Sequence, residues 1–161
     1  MKIIDKINKI ISNIVSYLVI ILILELVYDT VMRYVFNIAV EWSFDISYML
    51  YGIIFMLAIP HVDYLNKHVR IEIFYNRFSK TLKSIVDIIG YILIYIPICI
   101  SFLIFGWKFF YISYKIKETS GASMWSPPIY PFKFIIPLTG FLLLLHTLSQ
   151  LIKTIRYVIK K

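Results

Sequence analysis

The sequence carries a single cysteine, Cys99, set inside an apolar run, so no disulfide can form within the chain and a small apolar filler suits its place. Glycine is nearly as sparse. With five of them, the chain holds no phosphate-cradling glycine loop, and neither a zinc-spaced Cys/His set nor a nucleophile elbow occurs. These absences exclude the commonest signatures of nucleotide-dependent, zinc and acyl-transfer enzymes and give no sign of a cofactor. Charge is scarce too, at 16% of residues against about 25% in ordinary soluble domains. What is abundant is apolar surface: 60% of the 161 residues are hydrophobic, with a mean hydropathy of +0.81. A soluble protein of this size could not hide so much from water, so lipid is the expected solvent.

Four runs are long enough to cross a bilayer, which takes about 20 mostly apolar residues, and they predict helices over about 10–36, 43–62, 85–107 and 134–152. The expected fold class is all-α: an integral membrane protein with four transmembrane helices in a single membrane domain spanning residues 1–161. Ser43-Phe-Asp45 is a helix-start signal, and Pro137 falls in a first turn, where a missing N–H costs little. Pro97, midway along the third run, predicts a kink. Lys2, Lys6 and Lys9 precede the first run as in a signal peptide. The run is too long for one, and Glu25 and Asp29 follow in place of a small-residue cleavage site, so a retained helix is expected.

Positive charge sets the expected orientation. Of the 17 Lys and Arg residues, five lie on one side: Arg33, Lys108, Lys115, Lys117 and Lys133. The rest lie in the N-terminus, the middle loop and the C-terminus, which the positive-inside rule places in the cytoplasm. Trp42, Trp107 and Trp125 then form an outer aromatic belt. The net charge of +8 follows the membrane in this way and does not point to nucleic acid. In the middle loop, Ile71, Phe74, Phe78 and Leu82 recur at helical spacing among basic residues, which predicts a short amphipathic helix over about 71–82 in the inner interface. The outer loop from Lys108 to Lys133 ends in Trp125-Ser-Pro-Pro-Ile-Tyr-Pro, stiffened by its prolines.

Charges inside spanning segments are costly and point to function or to a partner. Glu25, Asp29 and Arg33 recur every fourth residue and form one stripe on the first helix. Arg33 can pair with Asp29 and, across the short turn, with Asp45, which would lock the first two helices as a hairpin. The stripe can equally face another subunit. Glu25 has no cation at its depth and requires a proton, a tyrosine donor or a partner outside the chain. His61 and His146 could be haem ligands or ordinary hydrogen-bonded histidines, and His68 sits among Lys67 and Arg70 as a loop residue.

Four stretches carry a family resemblance: Tyr28-Asp-Thr-Val-Met-Arg-Tyr-Val-Phe-Asn37, Trp42-Ser-Phe-Asp-Ile-Ser-Tyr-Met-Leu-Tyr-Gly52, Lys67-His-Val-Arg-Ile-Glu-Ile-Phe-Tyr-Asn-Arg77, and Pro127-Pro-Ile-Tyr-Pro-Phe-Lys133 followed by Ile136-Pro137. In this order, on a four-helix chain of this length, they resemble the small membrane subunit (DctQ-type) of TRAP transporters, the tripartite ATP-independent periplasmic family. The resemblance implies no enzyme. It implies a scaffold for a large membrane subunit that carries sodium and solute sites, working with an extracytoplasmic solute-binding protein to take up an organic acid or similar solute. It further implies that this subunit helps present a docking surface, for which Trp125 and Tyr130 are the outer-loop candidates beside Glu25, Asp29, Arg33, Trp42, Asp45 and His68. Three other readings compete: a self-contained proton-coupled transporter using Glu25, a haem-binding membrane anchor using His61 and His146, and a membrane-anchoring subunit of some unrelated complex.

Overall fold

The computed structural model describes residues 2–64 and 80–159. It is built of helices: α1 (Lys2–Tyr34), α2 (Ser43–Tyr64), α3 (Lys80–Gly90), a π-helical segment (Tyr91–Tyr95), α4 (Ile96–Lys115), the single-turn α5 (Tyr130–Lys133) and α6 (Ile135–Ile159). Four stretches are long and apolar enough to cross a membrane: Asn13–Tyr34, Ser43–Pro60, Leu82–Lys115 and Tyr130–Arg156. The reason is the solvent: in hydrocarbon a backbone must satisfy its own N–H and C=O groups, and a helix does so within one segment. Most of the expected amphipathic helix, and His68 with it, lies outside the described residues.

The third span is longer than its hydropathy suggested. At 34 residues it measures about 50 Å, against a hydrocarbon core of about 30 Å. The apolar run ends near Trp107, but aromatic packing carries the helix on: Phe110 meets Phe134 at 5.2 Å between ring centroids, and Tyr114 meets Tyr130 at 5.5 Å. The helix is interrupted just ahead of Pro97. There the Ile96 N–H reaches back five residues to the Tyr91 carbonyl, the wider spacing of a π turn. That shift accommodates a proline that has no N–H to give and whose ring crowds the preceding turn. α4 closes with Lys117 in the left-handed region at φ 50°, the Glu118 N–H on the Ser113 carbonyl at 3.0 Å and the Lys117 N–H on the Tyr114 carbonyl at 3.2 Å, a Schellman ending made without glycine. Asn37, at φ 55°, turns the chain after α1 in the same left-handed region, which asparagine tolerates.

Among the described residues the helices do not close into a bundle. Substantial packing runs in series, α1 on α2, α2 on α6, and α6 on α3 and α4, so the spans form a row with α6 well inside it. Burial follows that order: 39% of the most apolar stretch of the fourth span is buried, against 6% in the first and in the third. Glycines bring α4 and α6 close. A Cβ on Gly140 would stand 3.0 Å from the Leu103 nitrogen, and one on Gly106 would stand 3.0 Å from the Pro137 nitrogen. α6 also turns polar groups inward, with Thr139, His146 and Thr147 all buried and Cys99 of α4 at 3.9 Å from the Thr147 hydroxyl.

Candidate functional site

The polar residues of interest collect where the α1–α2 turn and the 116–129 loop meet. Asp45 lies in the first turn of α2, where the partial positive charge of the helix N-terminus favours a carboxylate. It is completely buried. The hydroxyls of Ser120 and Ser123 donate to its two oxygens, one each. Each serine also accepts a backbone N–H two residues on, Ala122 to Ser120 and Trp125 to Ser123, both at 3.2 Å. One carboxylate therefore organises two turns of a loop distant in sequence.

Among the described residues the expected Arg33–Asp45 pair does not form. Arg33 reaches Asp29 one helical turn back, at 3.1 Å and 3.4 Å to its two oxygens, and its side chain stays 57% exposed. Asp45 is satisfied by neutral hydroxyls, so the helix register does not rest on that ion pair. Glu25 also finds its partner within the chain, and that partner is not a tyrosine: the Ser43 hydroxyl, opening α2, donates to Oε1 at 2.5 Å. Glu25 Oε2 is sealed from the surface and accepts no hydrogen bond among the described residues. Trp42 stacks on Tyr28 at 5.8 Å and 17°, adding an aromatic clasp to the same turn.

The loop itself is a narrow ribbon. The Ser120 N–H donates to the Pro127 carbonyl at 2.8 Å and the Ile129 N–H to the Glu118 carbonyl at 3.0 Å, with one bridge between Thr119 and Pro128. At its base Lys133 pairs with Glu118 at 2.5 Å and lies 4.0 Å from the centroid of the Phe109 ring. The hydrogen bond from the Lys133 ammonium holds the Glu118 carboxyl below its ordinary value. The two aromatic candidates part company here. Tyr130 is packed edge-on against Tyr114, whereas Trp125 is 50% exposed beside Met124, at 88% the barest large apolar side chain described. Beneath residues 120–122 lies an apolar cavity of about 420 Å³, walled by Tyr48, Gly52, Met56, Phe109 and Phe132.

Sequence reasoning missed Ser120, Ser123, Glu118 and Met124. The spacing of Ser120 and Ser123 was visible, but nothing local says that both hydroxyls turn to a carboxylate 75 and 78 residues away. His146 has Nε2 at 3.2 Å from Gln150 Nε2, one turn along α6, while the side chain of His61 lies outside the described part. No three His, Cys, Asp or Glu side chains among the described residues come together as a metal site.

Residues 15–157 match the family model for the DctQ component of tripartite ATP-independent periplasmic transporters. The chain belongs to the DctQ family. A search of curated proteins returns no match. A DctQ component is the small permease subunit of a TRAP transporter, a multi-pass membrane protein of a transporter-component family that works with a large membrane subunit and a binding protein. The DctQ match covers all four spans but for the first residues of the first.

Proposed function

We propose that this DctQ chain scaffolds the large subunit of a sodium-coupled TRAP transporter in the inner membrane and helps dock its solute-binding protein, for uptake of an organic acid or similar solute. The observation that carries the reading is the open row of helices. A single layer leaves apolar flanks uncovered, and α1 is bare along most of residues 13–34, with Ile20, Ile23, Leu24 and Val27 each more than half exposed. Such a surface has to meet lipid or another membrane subunit. The N-terminus, the middle loop with His68, and the C-terminus lie in the cytoplasm in this reading, as the lysine and arginine count requires. Glu25, Asp29, Arg33, Trp42 and Asp45 then shape the outer end of the scaffold, and the loop bearing Trp125 and Tyr130 faces the binding protein.

Reconstitution tests the division of labour. The chain alone in liposomes shows no solute uptake under a sodium gradient, and uptake appears when the large subunit and loaded binding protein are added. Uptake by the lone chain, lost in Glu25→Gln, would instead establish a self-contained transporter. A reporter fused at Lys161 and active only outside the cytoplasm would overturn the orientation.

A further inference from the structure

Resting on that docking role, we propose that Asp45 is a positioning residue for the binding protein: by holding Ser120 and Ser123 it sets Met124 and Trp125 out as an apolar knob for an apolar, acid-rimmed patch on that partner. Four observations converge on it. The loop tip has little support from below, since Gly121 and Ala122 are exposed beside the cavity, and a Cβ on Gly121 would meet nothing within 4 Å. Beyond the ribbon's own backbone hydrogen bonds, this tip is held from the side by Asp45. Burying a carboxylate costs free energy unless hydrogen bonds repay it, and here two hydroxyls and a helix N-terminus do so. Ser126 sits in the left-handed region at φ 45°, its hydroxyl on the Ser123 carbonyl at 3.2 Å, so the chain after the knob is held in a conformation serine rarely adopts.

Met124 and Trp125 lie between the third and fourth spans and belong to neither. α4 continues from Trp107 to Lys115, a rise of about 12 Å, before the loop begins. Ribbon backbone with exposed polar groups does not occur in hydrocarbon, so Met124 and Trp125 stand at or beyond the membrane interface, with their apolar area uncovered by this chain. Tryptophan prebuilt on a fixed turn loses little entropy on binding and is a residue type enriched at hot spots. Charge indicates the rim. Lys115 and Lys117, leading into the ribbon, are both exposed, and neither is ion-paired among the described residues. An acidic border around an apolar patch complements them and steers the encounter.

The test uses the complete transporter in liposomes with purified, solute-loaded binding protein, reading its half-saturating concentration and the maximal uptake rate separately. Trp125→Ala with Met124→Ala raises the half-saturating concentration on the order of tenfold, the effect of losing one hot spot, with maximal rate and assembly unchanged. Asp45→Asn, and independently Ser120→Ala with Ser123→Ala, produce the same shift and add nothing once the knob is already gone. Lys115→Gln with Lys117→Gln raises it as well and flattens its dependence on ionic strength. If the knob variant shifts the concentration but both latch variants leave it unchanged, the positioning role is wrong while docking stands. If the knob variant leaves it unchanged, docking by this loop is wrong, and Trp125 is an interfacial anchor. Should Asp45→Asn fail to assemble, the serine pair decides.

Discussion

Gly140→Ala puts a methyl group into the seam between α4 and α6. The new Cβ would lie 2.8 Å from Phe102 Cβ, 3.0 Å from the Leu103 nitrogen and 3.1 Å from the Phe102 carbonyl carbon. Two of these three are backbone atoms of a neighbouring helix, which cannot swing aside as a side chain can. Carbon contacts are comfortable at about 3.5–4.0 Å, so the helices must part by roughly 0.5 Å, a gap that forfeits about a quarter of the local dispersion energy. Overpacking of this kind costs about 1–3 kcal/mol. Alanine's better helix propensity returns about 1 kcal/mol, so the net loss is about 0–2 kcal/mol, and the gap to a substitution that gains propensity without the clash is about 1–3 kcal/mol. Gly90→Ala is the internal control, because its Cβ would meet nothing within 4 Å and only the propensity gain remains. The measurement is an unfolding titration of the purified protein in mixed micelles, with Gly106→Ala as a second probe of the same seam from the other helix. Gly140→Ala unfolding at the same point as Gly90→Ala would refute the close-packed seam.

Three further outcomes follow from the end that carries the α1–α2 turn and the 116–129 loop. Ser43→Ala strips the Glu25 carboxyl of its donor and lowers stability by about 1–3 kcal/mol, whereas Glu25→Leu with Ser43→Ala together is close to neutral; a harmless Ser43→Ala in a thermal melt would remove Glu25–Ser43 as a structural pair. Lys117→Gly relieves a left-handed residue and raises the melting temperature, by an amount corresponding to about 1 kcal/mol, and a lowered value would count against strain at that cap. Glu118 titrates below its ordinary value because of Lys133, so its contribution is complete above about pH 4.5 and fades as pH falls through the lowered folded-state value. Hydrogen exchange across the ribbon speeds up in that acidic window, and Glu118→Gln abolishes the dependence.

The spans were legible because lipid imposes one rule on a backbone and that rule is written in local composition. Twenty apolar residues in a row, with tryptophans at the ends, suffice to place a helix without knowing its neighbours. The family was legible for a related reason, since three of its four motifs sit at helix ends where local sequence and local structure coincide, while the fourth, 67–77, lies outside the described residues. Helix ends were the weak point. Hydropathy stops at Trp107, whereas α4 runs on to Lys115 because Phe110 and Tyr114 find rings on residues 134 and 130. Pro97 announced an irregularity, but only the backbone shows that the ladder answers with a π turn.

Pairing was beyond the sequence. Arg33 and Asp45 have opposite charges a short turn apart, which made them an obvious couple, yet Asp29 lies one helical turn from Arg33 and Ser120 and Ser123 arrive from the far side of the chain. Amino-acid order alone determined that this protein is a four-span membrane helix assembly of the DctQ kind, because transfer into lipid is a sum over local residues. Tertiary structure alone decided that the helices stand in a row, that glycines seat α6 on α4, and that Asp45 holds the loop carrying Met124 and Trp125. Those features depend on which surfaces meet, and contacts between residues far apart in sequence leave no periodic trace in it.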